Sequence, residues 1–156
     1  MNDVVTGADI ATCLQLELAA VGAFLGILHK EQEALIEGKI EQLEVLALDK
    51  ALAAGQLAEL GAQRNRGLAS RNLNPDSEGM EACLADAKAA GAWRDLLGLV
   101  KVAQQLNRTN GEMIEVRLQR NQQAFAALQG AAGAVSLYGP KGKTLDFSGG
   151  RPLGRV

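Results

Sequence analysis

The sequence predicts an all-α protein, an antiparallel bundle of three to four long, coiled-coil-like helices with a flexible C-terminal tail. Leu (24) and Ala (26) occupy 50 of the 156 positions, and both favour helices, whereas the β-branched and aromatic residues that build strands are scarce. Only Pro75 precedes residue 140 among the prolines, so the frequent turns of a β-fold are missing. We therefore expect a helical bundle domain over residues 1–136 and a flexible tail containing Gly and Pro over residues 137–156.

The first predicted helix carries a heptad seam, because its apolar residues are spaced alternately by four and by three positions. Thr6 or Asp9 is a candidate N-cap, and Gly38 is a candidate stop. One polar residue, Gln32, interrupts the seam. Its members are Leu14, Leu18, Val21, Leu25, Leu28, Gln32 and Leu35.

The second predicted helix runs from Ile40 to Leu68, and its apolar stripe is wider than a strict seam. A wide stripe is typical of a helix that packs between neighbours in a bundle. Ser, Asn, Pro, Asp and Gly then cluster from Ser70 to Gly79 and predict a reversing loop. Asp76 or Ser77 is a candidate N-cap for the helix that follows.

Two helical segments are predicted after the loop. Met80 to Ala92 reads as an Ala-rich, weakly amphipathic helix, and a stronger apolar pattern opens at Trp93 and continues to about Gln129. The sequence leaves open whether residues 80–129 form one continuous helix. Three glycines within them each lower helical propensity by about 1 kcal/mol relative to Ala, so kinks are conceivable there.

Charge and hydropathy argue against two classes of partner. The net charge of −2 is unevenly divided, with −7 on residues 1–60 and +5 on the remainder. This division favours helices of complementary potential over a nucleic-acid-binding patch, because the late basic residues are sparse and lack interleaved aromatics. The longest uncharged apolar stretch, Leu18 to Leu28, is too short to span a bilayer. We expect a cytoplasmic protein without stable membrane insertion.

No constellation of catalytic or cofactor-binding residues stands out, so we expect a protein that is not an enzyme and binds no cofactor or metal. Cys13 and Cys83 lack a CxxC partner and are expected to be small buried thiols. His29, the single histidine, is expected on an exposed helical face. Gly142-Lys143-Thr144 is similar to the end of a phosphate-binding loop, but Leu137 stands where the first glycine of that motif belongs.

Three asparagines mark the last long helix. Asn107, Asn110 and Asn121 fall on the three-four spacing of its apolar residues. Each amide alone would bond water or a facing helix at the edge of the stripe, which is the simplest interpretation. As a group they would fix helix register if buried, or bond an incoming helix if they border an exposed groove. The apolar members of the stripe are Met113, Ile114, Leu118, Phe125 and Leu128.

Two segments near the end of the chain carry a family pattern. They are Asn107-Arg-Thr-Asn-Gly-Glu-Met-Ile-Glu-Val-Arg-Leu-Gln-Arg-Asn-Gln-Gln-Ala-Phe and Leu137-Tyr-Gly-Pro-Lys-Gly-Lys-Thr. Together they resemble the C-terminal signature of the FlgN family of flagellar type III export chaperones, and a looser resemblance extends over residues 10–146. Phe125 stands where a smaller aliphatic residue is commoner in the family, and Lys141 where an acidic residue is frequent.

The resemblance implies a cytoplasmic chaperone that binds the C-terminal helical regions of the hook-filament junction (hook-associated) proteins FlgK and FlgL. It implies that the chaperone prevents their premature assembly and delivers them to the flagellar export gate, without nucleotide, metal or catalysis. The apolar stripe and the family pattern together assign client binding to Asn107, Asn110, Met113, Ile114, Leu118, Asn121, Phe125 and Leu128. An exposed aromatic in the tail assigns docking at the export gate to Leu137, Tyr138 and Gly139.

The alternative is a structural or adaptor coiled-coil bundle that binds another secretion partner. A purely structural bundle would bury its apolar stripes against one another and leave no groove. An adaptor would use the same surface as the chaperone. The sequence leaves open the oligomeric state, a homodimer included, and the client that binds more tightly.

Overall fold

The computed structural model describes residues 7–84 and 87–137, and within them the chain forms four α-helices and no strand. The predicted all-α fold of long helices is confirmed. The chain divides into two units, Met1–Met113 and Ile114–Val156, and the last helix contributes residues to both. The predicted boundary between residues 136 and 137 stays a prediction. The helices are α1 (Gly7–Glu37), α2 (Ile40–Ala69), α3 (Ser77–Cys83) and α4 (Ala87–Leu137).

The heptad seam of α1 is its buried face. The seam positions seven residues apart are buried, namely Leu14, Val21, Leu28 and Leu35, and those between them are half-buried. α1 begins at Gly7, so Asp9 lies inside the helix and is not its N-cap, which corrects that prediction. Thr6, the other candidate cap, lies outside the described residues.

Gly38 ends α1, as predicted. Its φ of 73° lies in the left-handed region, which glycine enters without steric cost. The N–H of Lys39 donates to the carbonyl of Ala34 at 2.9 Å, the bond that closes a Schellman motif. α2 begins at Ile40, and two ion pairs between α1 and α2, at Glu17–Arg64 and Glu31–Lys50, show that the two helices run antiparallel.

Among the residues that the structure describes, the first half of α2 packs against neighbours on one side only. Leu46 is buried, whereas Val45, Leu48 and Leu52 are 60%, 69% and 71% exposed. The prediction that α2 packs between neighbours is therefore wrong for this half. Its stripe is wide because it has an inward apolar side and a separate outward one.

The loop after α2 passes close to Gly79, in the first turn of α3. Asp76 is the N-cap of α3, as one of the two candidates predicted, and its carboxylate accepts the Gly79 N–H at 2.7 Å. A Cβ on Gly79 would lie 1.9 Å from the carbonyl oxygen of Asn74, so only glycine fits. This close approach leads the chain into α3, where Met80 is fully buried.

The predicted helix over residues 80–92 is wrong as a single segment, since α3 ends at Cys83 and α4 begins at Ala87. Met80 and Trp93 belong to the same core cluster. One straight helix would hold them about 20 Å apart, at 1.5 Å per residue. The break near Leu84 lets the chain bring both to the core, and α4 then continues past Gly91, Gly98 and Gly111 without ending.

The core lies at the end of the bundle away from Gly38. There the start of α1, the end of α2, α3 and the start of α4 meet. Farther along, Asn110 of α4 contacts α1 at Leu28, so the first part of α4 runs parallel to α1. The central members of the cluster are Ile10, Leu14, Val21, Leu68, Met80, Trp93 and Leu96.

Candidate binding surface

The second unit presents an apolar stripe on one side of a helix. At 100° per residue, the positions of Ile114, Leu118, Phe125 and Leu128 fall within an arc of about 80°. These side chains are 43%, 56%, 63% and 68% exposed, respectively. A soluble helix normally buries such a stripe, and one left open is a surface for a partner helix.

The exposed asparagines differ in their surroundings. Asn121 is exposed and falls in the middle of the apolar arc, between the angular positions of Leu128 and Phe125. Its amide is therefore placed to bond an incoming polar group. Asn107 is also exposed, and Met113 is half-buried; both belong to the first unit.

Asn110 lies in the interior instead. It is fully buried, and its Nδ2 donates to the carbonyl of Leu28 at 2.8 Å and to Oε1 of Glu31 at 3.0 Å. Its Oδ1 is buried and accepts no hydrogen bond from a described residue. The structure thus places Asn110 away from the exposed stripe and gives it the contacts of a register-fixing amide.

Glu31 joins three helices at this point. Glu31 is only 4% exposed. Its carboxylate accepts a hydrogen bond from the side-chain amide of Asn110 in α4 and forms an ion pair with the Lys50 ammonium of α2 at 3.1 Å. A buried carboxylate is tolerated only when such partners satisfy it. This junction holds the first part of α4 against the α1–α2 hairpin.

A second polar junction lies two heptads away. The Glu17 carboxylate accepts two bonds from the Arg64 guanidinium, at 2.6 and 3.3 Å. The same guanidinium lies 5.1 Å from the centroid of the Trp93 ring of α4, within the range of a cation–π contact. Glu17, Arg64 and Trp93 therefore join α1, α2 and α4 a second time.

Sequence reasoning missed both junctions, although a signal was present. The two carboxylates are 14 residues apart on α1, and their two basic partners are 14 residues apart on α2. In each pair the two residue numbers add to 81. This constant sum is expected for two antiparallel helices, in which moving along one helix by a number of residues moves back along the other by the same number. The two acids lie on a heptad row whose other members are Ile10 and Phe24, and acids on such an apolar row should have suggested buried pairs.

The structure does not test the predicted docking of Leu137, Tyr138 and Gly139 at the export gate. Tyr138 and Gly139 lie outside the described residues, and Leu137 is the last residue of α4. Docking through this element stays a prediction.

The other candidate chemical groups are the single histidine and the two cysteines. His29 is exposed, as predicted, and Cys13 and Cys83 are half-buried rather than buried. Among the residues that the structure describes, no three His, Cys, Asp or Glu side chains are grouped closely enough to hold a metal ion.

By length and composition, Ile10–Glu37 of α1 is a segment that could cross a membrane. In the structure it supplies Ile10 and Leu14 to the core and Glu17 and Glu31 to buried ion pairs. These contacts are those of a core helix in a bundle.

Comparison with known proteins gave one family match. The model of the FlgN protein family matches residues 1–146, which covers α1 to α4. No curated protein and no solved structure matched the chain.

Proposed function

The chain belongs to the FlgN family of flagellar export chaperones, and on that premise we propose that the exposed stripe of α4 binds the C-terminal helical regions of FlgK and FlgL. Hook-associated proteins are the partners of this family in general. The stripe formed by Ile114, Leu118, Phe125 and Leu128, left open on a helix whose backbone bonds are internally satisfied, is the observation that supports this site.

The expected affinity suits a client that must be released. Four apolar side chains gain about 2 kcal/mol each on burial, and a matching set on the client raises the gross gain to about 16 kcal/mol. Association and ordering cost about 4–15 kcal/mol. A cost near the middle of this range, about 9 kcal/mol, leaves about 7 kcal/mol, which corresponds to a dissociation constant of about 10 μM.

The polar residues of the assigned set have two roles in this proposal. Asn121, within the stripe, bonds the client helix, and Asn107 lies exposed for the same purpose. Asn110, bonded to Leu28 and Glu31, positions the first part of α4 and does not touch the client.

The proposed chaperone acts in the cytoplasm by binding alone. Covering the junction proteins' helical ends keeps them from assembling early, and neither catalysis nor a cofactor is needed for that. Leu137, Tyr138 and Gly139 are proposed to contact the export gate once the client is bound.

Client binding is tested by titrating a fluorescent C-terminal peptide of FlgK with the full chain. The Leu118→Asp, Phe125→Asp variant removes two anchors worth about 4 kcal/mol together, so its affinity should fall by about a thousandfold. The matched control is Gln119→Asp, Gln123→Asp, which adds the same charge on the opposite side of the same helix and should bind like wild type. Equal affinities of the two variants would contradict the proposed site.

Gate docking is tested separately by measuring export. Tyr138→Ala should bind the client normally and export less of the junction proteins. Wild-type export by this variant would remove Tyr138 from the proposed role and leave the client site untouched.

A further inference from the structure

A second apolar surface that no described residue covers lies on α2, in the first unit. We name it the α2 outer face: Val45, Leu48 and Leu52, the exposed residues at a three-four spacing on the side of α2 away from the core. Their positions share an arc of about 60°. This stripe is separate from the α4 stripe and is not used in the function proposed above.

The α2 outer face continues into a groove at the end of the hairpin. The groove has a volume of about 460 Å³, and Val45 lines it together with Ala34 and Leu46. Its charged lining residues are three acids, Glu33, Glu37 and Glu41, and two lysines, Lys30 and Lys39. A partner seated on Val45 would therefore meet both the stripe and the groove.

The charged residues around this surface are mainly acidic. Glu41, Glu44 and Asp49 are exposed beside the stripe, whereas Lys50 turns inward to the buried Glu31. Lys39, on the groove rim, is bonded to Glu37, and this contact raises the pKa of the lysine. The negative side chains are thus left without an equal set of exposed cations along the first half of α2.

We propose that the α2 outer face docks a basic amphipathic helix of a partner protein, one whose apolar stripe is flanked by Lys or Arg. A helix fits because Val45, Leu48 and Leu52 recur at the spacing of coiled-coil contact positions. A basic helix fits because its charges complement Glu41, Glu44 and Asp49. A second copy using the same face would set these carboxylates against one another.

The probe is a pair of 21-residue helical peptides that share one leucine stripe, flanked by Lys in one and by Glu in the other. Titrated with the full chain and followed by fluorescence anisotropy, the Lys peptide should bind at least about tenfold more tightly, with an affinity that falls as salt is raised. Equal binding of the two peptides would overturn the proposal.

Variants then locate the site. Leu48→Ser, Leu52→Ser should weaken the Lys peptide at least about tenfold, as loss of two apolar anchors requires. The matched control, Leu118→Ser, Phe125→Ser on α4, should bind the Lys peptide like wild type and should lose the FlgK peptide. The opposite pattern, with the Lys peptide lost only on changing α4, would overturn the proposal and leave the client site intact.

A second variant removes only charge. Glu41→Gln, Glu44→Gln, Asp49→Asn should weaken the Lys peptide and flatten its salt dependence, while these exposed positions leave the circular-dichroism spectrum unchanged. Sedimentation of the full chain completes the test. A dimer that Leu48→Ser, Leu52→Ser dissociates would identify a second copy as the occupant and overturn the proposal.

Discussion

Breaking the Glu17–Arg64 ion pair by removing one partner should destabilise the bundle strongly. Replacing Arg64 by Met keeps much of the side chain's length and leaves Glu17, on a residue 5% exposed, as an unpaired buried carboxylate. Breaking a buried pair in this way costs about 3–5 kcal/mol. Arg64→Met also removes the cation–π contact with the Trp93 ring, which adds to the loss of stability.

Urea unfolding followed by circular dichroism measures this effect. With a slope of about 2 kcal/mol per molar urea, a loss of about 4 kcal/mol lowers the midpoint by about 2 M. The double variant Glu17→Met, Arg64→Met removes both charges and should recover to within about 1 kcal/mol of wild type, since an apolar pair replaces an ion pair without an orphaned charge.

The control lies two residues away on the same helix. Arg66 pairs with Glu59 at 3.0 Å, but both side chains are more than 60% exposed, so Arg66→Met should change stability by no more than about 0.5 kcal/mol. An Arg64→Met loss below about 1 kcal/mol, or a double variant as unstable as Arg64→Met, would refute the reasoning.

Three further predictions concern glycine, the buried amide and pH. Gly79→Ala should lower the free energy of unfolding by about 1–3 kcal/mol, because the added Cβ would clash with the Asn74 carbonyl. Gly55→Ala, with open space around the added Cβ, should raise it by about 0.5–1 kcal/mol. Thermal unfolding of both variants measures the two effects. Asn110→Asp should destabilise more than Asn110→Leu at neutral pH, since it sets a second carboxylate against Glu31, and the difference should shrink in acid as the introduced carboxyl is protonated. Bonds from Arg66 and Gln63 hold the pKa of Glu59 low, so Glu59→Gln should lower the melting temperature slightly near neutral pH and not in acid, where the wild-type carboxyl is protonated in both states.

The helices with a strong local pattern could be predicted from the sequence. Heptad spacing located the buried face of α1, and Gly38 located its end, because both depend on residues within one helix. The break between α3 and α4 could not be predicted, since Ala-rich residues 82–92 suit a helix locally. It is imposed by the core, where Met80 and Trp93 must meet.

The site shows the same division. Periodicity was enough to place Ile114, Leu118 and Phe125 on one side of a helix, and the structure leaves that side exposed. It could not separate Asn110 from Asn121, because both share the stripe's spacing and only tertiary contacts with α1 bury the first. The α2 outer face was missed for a related reason, since an apolar stripe alone does not say whether anything covers it.

Amide hydrogen exchange of the full chain, with and without the C-terminal region of FlgK, tests the central claim most directly. We expect slower exchange over residues 114–128 on complex formation and no change over residues 45–52 of α2. A complex that forms without protection of residues 114–128, or that protects the α2 outer face instead, would contradict it.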